Sequence, residues 1–251
     1  MAQLTEILAY LDAELRTAEI KDYPGAMNGL QLENDGTVSR IVTAVDASLA
    51  VVEEAAKVPG TLLLVHHGMF WQGLQPLTGN FFRKISTAIR GNLAIYASHL
   101  PLDAHPVIGN NVLLAEAVGL QKIRPILMQD GWAGGVCGEW HGDRDSLANA
   151  LTSAVERPVH LCPAGPTEIH EVAIITGGAG SKIGKIAKLG IKTFITGEGQ
   201  HWTYIESEEH SVNTFYAGHY ATETFGVRAL GDRLAHIFDI KAEFLRQNGG
   251  L

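Results

Sequence analysis

The chain has 251 residues, of which 46% are hydrophobic and 18% are charged, and its formal net charge at pH 7 is −8. This length and composition are typical of a globular protein with a substantial hydrophobic core. The negative charge and the lack of a basic run longer than two residues argue against nucleic acid as the main partner, because binding to phosphates needs a positive surface.

The beginning of the sequence lacks the basic and apolar regions of a secretion signal, and no apolar run is long enough to cross a membrane. The two cysteines, Cys137 and Cys162, have no paired spacing and are typical of reduced thiols. We therefore expect a cytoplasmic protein that does not associate with membranes.

The first part of the chain alternates between the patterns of strands and helices. In order, the predicted elements are a helix over residues 4–15, a turn-rich segment over 22–36, a strand over 41–45, a helix over 48–57, a strand over 61–65, a helix over 81–90, a strand over 93–96, a loop over 98–106 and a helix over 110–118. This alternation indicates a parallel or mixed sheet flanked by helices.

The rest of the chain first departs from this rhythm and then returns to it. The predicted elements are strands over 123–128 and 133–140, a helix over 146–155, strands over 158–162 and 172–176, a helix over 182–189 and strands over 193–196 and 214–217. We expect an α/β protein with two similar α/β lobes, each a mixed sheet flanked by helices. The lobes are residues 1–122 and 166–251, with a small inserted α/β segment over 123–165, and they indicate either an internal duplication or two unrelated β-α-β units.

Two adjacent histidines, His66 and His67, follow the apolar run over residues 62–65. The run predicts a buried strand, and the carboxyl ends of such strands are where open α/β sheets bind ligands. A neutral imidazole offers one ring nitrogen to a metal. Because consecutive side chains of extended backbone point to opposite sides, the pair suits two ions better than one. The alternative is two hydrogen-bonded histidines at a strand end.

Further side chains of the metal-binding type follow other predicted strands. Asp103 lies in a loop that two prolines are expected to hold extended, and the alternative for it is an ordinary turn aspartate. His219 and Glu223 are four residues apart, so on a helix they share one face. Glu198 and His201 are either ligands, residues that orient ligands, general bases, or satisfied polar groups at a strand end.

Together these segments supply three imidazoles and two carboxylates as metal ligands, namely His66, His67, Asp103, His219 and Glu223. This set is larger than one closed structural zinc site needs and suits two divalent ions with Glu223 between them. It fits Zn, Mn, Fe or Co and does not select among them. No Walker loop and no nucleophile elbow occur, and the glycine turn over 177–180 is more typical of a tight turn than of a phosphate cradle.

Six motifs then suggest a family. They are NGLQ at 28–31, AVDAS at 44–48, LVHHGMFW at 64–71, SHLPLDAHPVIGNN at 98–111, TGEGQH at 196–201 and AGHYATETFGV at 217–227. In content and order they resemble the Nif-three-like dinuclear-metal proteins, commonly labelled type 2 GTP cyclohydrolase I homologues. The resemblance extends over residues 5–245 and implies the two-lobed Nif-three-like fold, two metal ions per subunit and a toroidal homohexamer whose sites face an inner cavity.

The resemblance also implies a role for each ligand. His66 and His219 would bind one ion, His67 and Asp103 the other, and Glu223 would lie between the two. Three more residues fall in family motifs as pocket residues and are our candidates for catalysis: His99, Glu198 and His201.

The hypothesis that follows is a dinuclear metal-dependent hydrolase acting on a nucleotide-like small molecule. GTP cyclohydrolase is the activity that the family label implies, so GTP or another nucleotide is the expected substrate. Two alternatives stay open, because a fold does not determine a function. One is a phosphoesterase that uses the same metals, and the other is a non-catalytic metal-binding protein whose ring-shaped assembly recruits partners.

Overall fold

The structure is a computed structural model and describes residues 1–247. Within this range the chain divides into two compact units. The first unit contains Met1–Leu102 together with the described chain from Gly226 onward, and the second contains Asp103–Phe225.

Strands and helices alternate along much of the described chain. In chain order, the strands are β1 (Ala2–Gln3), β2 (Gly29–Leu32), β3 (Thr37–Val38), β4 (Arg40–Asp46), β5 (Thr61–His67), β6 (Ala94–Ala97), β7 (Gln121–Gln129), β8 (Trp132–Asp143), β9 (His160–Pro163), β10 (Glu168–Ile174), β11 (Thr193–Thr196), β12 (Asn213–Tyr216) and β13 (Lys241–Phe244). The α-helices are α1 (Leu4–Glu14), α2 (Leu49–Ala55), α3 (Gly79–Arg90), α4 (Leu100–Asp103), α5 (Asn110–Val118), α6 (Arg144–Val155), α7 (Ile183–Lys188), α8 (His201–His210), α9 (His219–Thr222) and α10 (Thr224–Phe238).

The first unit is built on a five-stranded sheet in the order β13-β4-β5-β6-β2. The first four strands are parallel, and β2 pairs with β6 in the antiparallel direction. The middle strands β4 and β5 are buried over nearly their whole length, which explains why their sequences are continuous apolar runs. Ser48 begins α2, since its side chain accepts a hydrogen bond from the amide of Val51.

The second unit is built on a six-stranded sheet in the order β7-β8-β10-β11-β12-β9. The central strands β10, β11 and β12 are parallel, and the three outer strands pair in the antiparallel direction. Successive residues of β11 alternate between two cores: Ile195 packs with α5 and α6, and Phe194 packs with α7. The predicted fold class, two mixed sheets flanked by helices, is confirmed.

The two units differ from the predicted segments 1–122, 123–165 and 166–251. The strand β8 of the predicted insertion pairs with β10, so it extends the second sheet and forms no separate module. The chain returns to the first unit at Gly226, within α10, and β13 then pairs with β4. Both pairings join segments that are far apart in sequence, and neither leaves a local pattern.

One local prediction is incomplete and another is wrong. The segment 22–36, expected to be rich in turns, also contains β2, which forms because it pairs with β6. The segment 98–106, expected to be an extended loop, contains the short helix α4. Pro101 lies in the first turn of this helix, where its missing amide hydrogen and fixed φ are tolerated.

Among residues 1–247, no helix combines the length and the apolar character that spanning a membrane requires. The expected cytoplasmic location stays a prediction.

Candidate functional site

The first unit brings together three histidines at the carboxyl ends of β5 and β6. His66 and His67 end β5, and His99 follows β6. Their ring centroids are 4.8–5.6 Å apart, and one ring nitrogen of each lies within 4.8 Å of those of the other two. We call His66, His67 and His99 the imidazole cluster. Nitrogen ligands this close can serve one metal centre.

Hydrogen bonds orient the first two rings of the imidazole cluster. The Nδ1 atom of His66 lies 2.9 Å from the carbonyl oxygen of Ser98, and the Nδ1 atom of His67 lies 2.9 Å from an oxygen of Asp46. Asp46 is the direct partner of His67 in the parallel register of β4 and β5. Carbonyl and carboxylate oxygens accept hydrogen bonds, so each Nδ1 carries the proton and each Nε2 keeps the lone pair. Metal-binding histidines are held in this way.

His99 is oriented by a buried carboxylate, Asp22. Its Nδ1 atom donates to Asp22 over 2.9 Å, and its backbone amide donates to Asn28 over 2.8 Å. Asp22 also accepts hydrogen bonds from the Asn28 side chain and from the amide of Leu100. Burial alone would raise the pKa of Asp22, but the hydrogen bonds and charge of His99 and the other two donors outweigh burial and lower this pKa. The carboxylate therefore stays ionised and fixes the His99 tautomer.

Aromatic rings pack against the imidazole cluster. The indole of Trp71 meets His99 and His67 edge to face, with ring centroids 4.8 and 5.6 Å apart. Tyr23 packs on Trp71 and on His99 at centroid distances of 6.4 and 6.1 Å. These rings cover part of the cluster with apolar surface and reduce its contact with water.

The glycine after the two histidines permits a close approach by Gln31. A Cβ atom on Gly68 would lie 2.1 Å from the side-chain amide nitrogen of Gln31. That amide donates to the carbonyl oxygens of Ala26 and Met27, and its oxygen accepts from the amide of Met69. Gln31 therefore ties the segment after β5 to the loop that precedes β2, which is the loop that carries Asp22.

The second unit holds His219 between two carboxylates. The Nδ1 atom of His219 lies 2.9 Å from an oxygen of Glu198, and its Nε2 atom lies 3.2 Å from an oxygen of Glu223. The predicted proximity of His219 and Glu223 is confirmed, with α9 beginning at His219 and Glu223 directly following it. The side chain of Glu223 is only 3% exposed. A buried carboxylate beside an imidazole is a donor set that suits a divalent cation.

The charges of the two carboxylates change the pKa of His219. Burial would lower the pKa, but the hydrogen bonds and charges of Glu223 and Glu198 outweigh burial and raise the pKa to about 9. Without a metal ion, His219 is therefore protonated at neutral pH and neutralises part of the carboxylate charge. A divalent cation can supply the same neutralisation, which is why this group fits a metal ion.

Asp103 is held by side-chain amides of the same unit. An oxygen of Asp103 accepts from the side chain of Asn110 over 2.8 Å, and its backbone carbonyl accepts from Asn111 over 3.1 Å. Asn111 in turn accepts from the amide of Thr176, just after β10. Asn110 therefore orients the carboxylate, and Asn111 links the backbone of Asp103 to the end of a central strand.

The eight predicted site residues divide between the two units. His66, His67 and His99 form the imidazole cluster of the first unit. In the second unit, His219 contacts Glu198 and Glu223, and the side-chain amides of Asn110 and Asn111 hold Asp103. His201 lies at the exposed start of α8. The sequence reasoning assigned no role to Asp22 or Asp46. For Asp46 a signal existed, because it ends the strand before the one that carries the histidines.

Gly177 lies against the carboxylate of Glu223, so a substitution at Gly177 tests whether this close packing holds the carboxylate in place. Its φ is +66°, and a Cβ atom there would lie 2.1 Å from an oxygen of Glu223. We expect Gly177→Ala to displace the carboxylate and to weaken metal binding about tenfold or more. Because alanine is strained in the left-handed region, it should also lower the free energy of unfolding by about 1–2 kcal/mol. Urea unfolding and metal titration measure the two effects.

Gly190→Ala is the matched control for this variant. Gly190 lies in the same unit with a φ of +83°, and nothing lies within 4 Å of the position of its Cβ atom. We expect the same loss of stability without a loss of metal affinity. Equal metal affinities in the two variants would show that Gly177 does not act through Glu223.

Comparison with known proteins agrees with the motifs. The chain matches the Duf34/NIF3 (NGG1p interacting factor 3) family over residues 2–248. It is 35% identical to a Deinococcus radiodurans protein named GTP cyclohydrolase 1 type 2 homolog, over 98% of this chain and 94% of the relative. An Escherichia coli K12 protein of the same name is 36% identical over 96% of each chain. The crystal structure of a Thermus thermophilus protein matches with a TM-score of 0.90 and 34% identity over all of both chains. The chain therefore belongs to the Duf34/NIF3 family.

Proposed function

We propose that this protein is a metal-dependent hydrolase that acts on a nucleotide-like small molecule, with GTP as the substrate to test. The observation that carries the proposal is the common orientation of the imidazole cluster, in which an acceptor holds every Nδ1 atom and leaves Nε2 as the nitrogen through which each neutral ring can bind a metal ion or a proton. The name of these relatives, GTP cyclohydrolase 1 type 2 homolog, is the reason to test GTP first.

We propose two divalent ions per subunit, of Zn, Mn, Fe or Co. His66 and His219 would hold one ion, His67 and Asp103 the other, and Glu223 both. The mixed imidazole and carboxylate donors of the two units support this assignment, as does the burial of Glu223. When bound, such ions polarise a substrate and lower the pKa of water. From the resemblance we also propose a toroidal homohexamer.

The side chains of the protein itself would bind, orient and move protons. His99 is suited to proton transfer because Asp22 fixes its tautomer and leaves Nε2 to accept a proton from the reacting group or to return one. Glu198 and His201 line one cleft of the second unit and are the other candidate proton carriers. Trp71 and Tyr23 would limit the access of bulk water to His99.

Product analysis of GTP tests the proposal. Protein loaded with Mn²⁺ or Zn²⁺ is incubated with GTP, with Glu223→Ala and the exposed-site control Glu209→Ala run alongside. We expect formate and a ring-opened triphosphate from the wild type and from Glu209→Ala, and neither product from Glu223→Ala. Inorganic phosphate in place of formate would identify a phosphoesterase. Unchanged GTP with metal bound would contradict hydrolase activity on this nucleotide and favour the non-catalytic alternative.

A further inference from the structure

The second unit contains an open cleft of about 450 Å³ that none of the proposed metal ligands lines. Its walls include His160, Tyr204 and Tyr216, and Glu198 lies at its side. We call the cleft that these three rings and the Glu198 carboxylate line the aromatic cleft. Clefts of this volume with apolar walls and a few polar groups are typical of small-molecule sites.

The rings of the aromatic cleft are close together and partly preformed. The His160 ring lies 6.2 Å from the Tyr204 ring and 6.0 Å from the Tyr216 ring, at interplanar angles of 41° and 33°. The hydroxyl of Tyr216 lies 2.9 Å from that of Thr203, which fixes the ring. A Cβ atom on Gly199 would lie 2.7 Å from this ring, so only glycine permits the present contact. Flat surfaces of this kind favour a planar ligand.

Glu198 provides a hydrogen-bond acceptor beside these rings. Its side chain is 49% exposed, and one of its oxygens accepts from Nδ1 of His219 over 2.9 Å. A carboxylate has about four acceptor sites, so it can also accept from N–H groups on the edge of a ligand. A ligand held in this way would lie beside His219, one of the proposed metal ligands.

We propose that the aromatic cleft binds a planar nitrogen heterocycle that carries N–H donors, as in a purine nucleoside. The ring would stack against His160 and Tyr204 and donate to Glu198. This inference rests on the proposed function, because it names the part of the substrate that is held next to the metal ligands. Binding of the ring itself requires no metal ion, since His160 and Tyr204 are not among the ligands.

Calorimetric titration with guanosine tests this site in protein stripped of metal. We expect His160→Ala and Tyr204→Ala each to weaken guanosine binding about tenfold, the usual loss when one stacking ring is removed. The matched controls are His170→Ala, an exposed strand histidine of the same unit, and Ile205→Ala, the exposed neighbour of Tyr204 on α8. Both controls should bind guanosine as the wild type does.

Glu198→Gln tests the acceptor. Guanosine presents adjacent N–H donors on one edge and adenosine does not, so we expect the wild type to prefer guanosine and Glu198→Gln to lose that preference. No guanosine binding by the wild type, or equal binding by the His160 and Tyr204 variants, would overturn the inference. Turnover of GTP that these two variants leave unaffected would overturn it while the proposed function stands. Ring-dependent guanosine binding without turnover would refute only the proposed function.

Discussion

Glu223→Ala should remove most of the bound metal, the largest effect that we expect from any single substitution. Glu223 is buried, lies 3.2 Å from His219 and is the proposed ligand of both ions. Replacing even a residue that only orients a ligand typically weakens metal affinity about 10- to 100-fold, so the loss of a bridging carboxylate should exceed about 100-fold. Elemental analysis after dialysis, followed by titration with Mn²⁺ or Zn²⁺, measures the remaining stoichiometry and affinity.

Two further variants separate metal binding from folding. Glu223→Gln keeps the size of the side chain and removes its charge, so it should fold like the wild type and still lose metal. Glu209→Ala removes an exposed carboxylate from α8 and should retain the wild-type metal content. Two ions retained at wild-type affinity by both Glu223 variants would show that this carboxylate is not a ligand.

The parts of the site that could be predicted are those with local patterns. The buried strand β5 was predictable because four consecutive aliphatic residues precede the two histidines, and in the sheet a parallel strand flanks it on each side. His219 and Glu223 were predictable because a spacing of four residues brings side chains together on one helical turn. In the glycine turn over 177–180, Gly177 is required by its positive φ and by the nearby Glu223.

The parts that could not be predicted depend on contacts between distant segments. Asp22 and His99 are 77 residues apart, and Asp22 lies in a segment whose only visible pattern is that of turns. Asp46 acquires its role from the register of two parallel strands. The placement of β13 beside β4 likewise pairs Lys241–Phe244 with a strand that begins at Arg40. No short window of sequence contains both partners of any of these pairs, so periodicity and spacing do not reveal the pairing, even where one residue, such as Asp46, stands out at the end of a strand.

Asp22→Asn should lower kcat strongly while leaving the fold intact, if His99 transfers protons as proposed. Both oxygens of Asp22 accept hydrogen bonds, from His99 on one side and from Asn28 and Leu100 on the other. An asparagine side chain has one NH2 group, and this group must face one of these two sides. When it faces His99, it donates a hydrogen bond to Nδ1, so the proton of the neutral ring moves to Nε2. General acid–base catalysis contributes about 10²- to 10⁴-fold to rates, so we expect a loss in kcat of at least about 100-fold.

Steady-state kinetics of GTP turnover and nitrogen-detected NMR of the His99 ring measure this effect together. In metal-stripped protein, the ring should change from the Nδ1–H to the Nε2–H tautomer, an observation that does not depend on any activity. Asp12→Asn is the matched control, because Asp12 accepts a hydrogen bond from the Tyr96 hydroxyl in the same unit and does not contact His99. A lower melting temperature without a change of tautomer would reduce Asp22 to a structural residue. A changed tautomer with an unchanged kcat would instead remove His99 from the chemistry, since a ring that presents the wrong nitrogen cannot accept the proton that the proposed role requires.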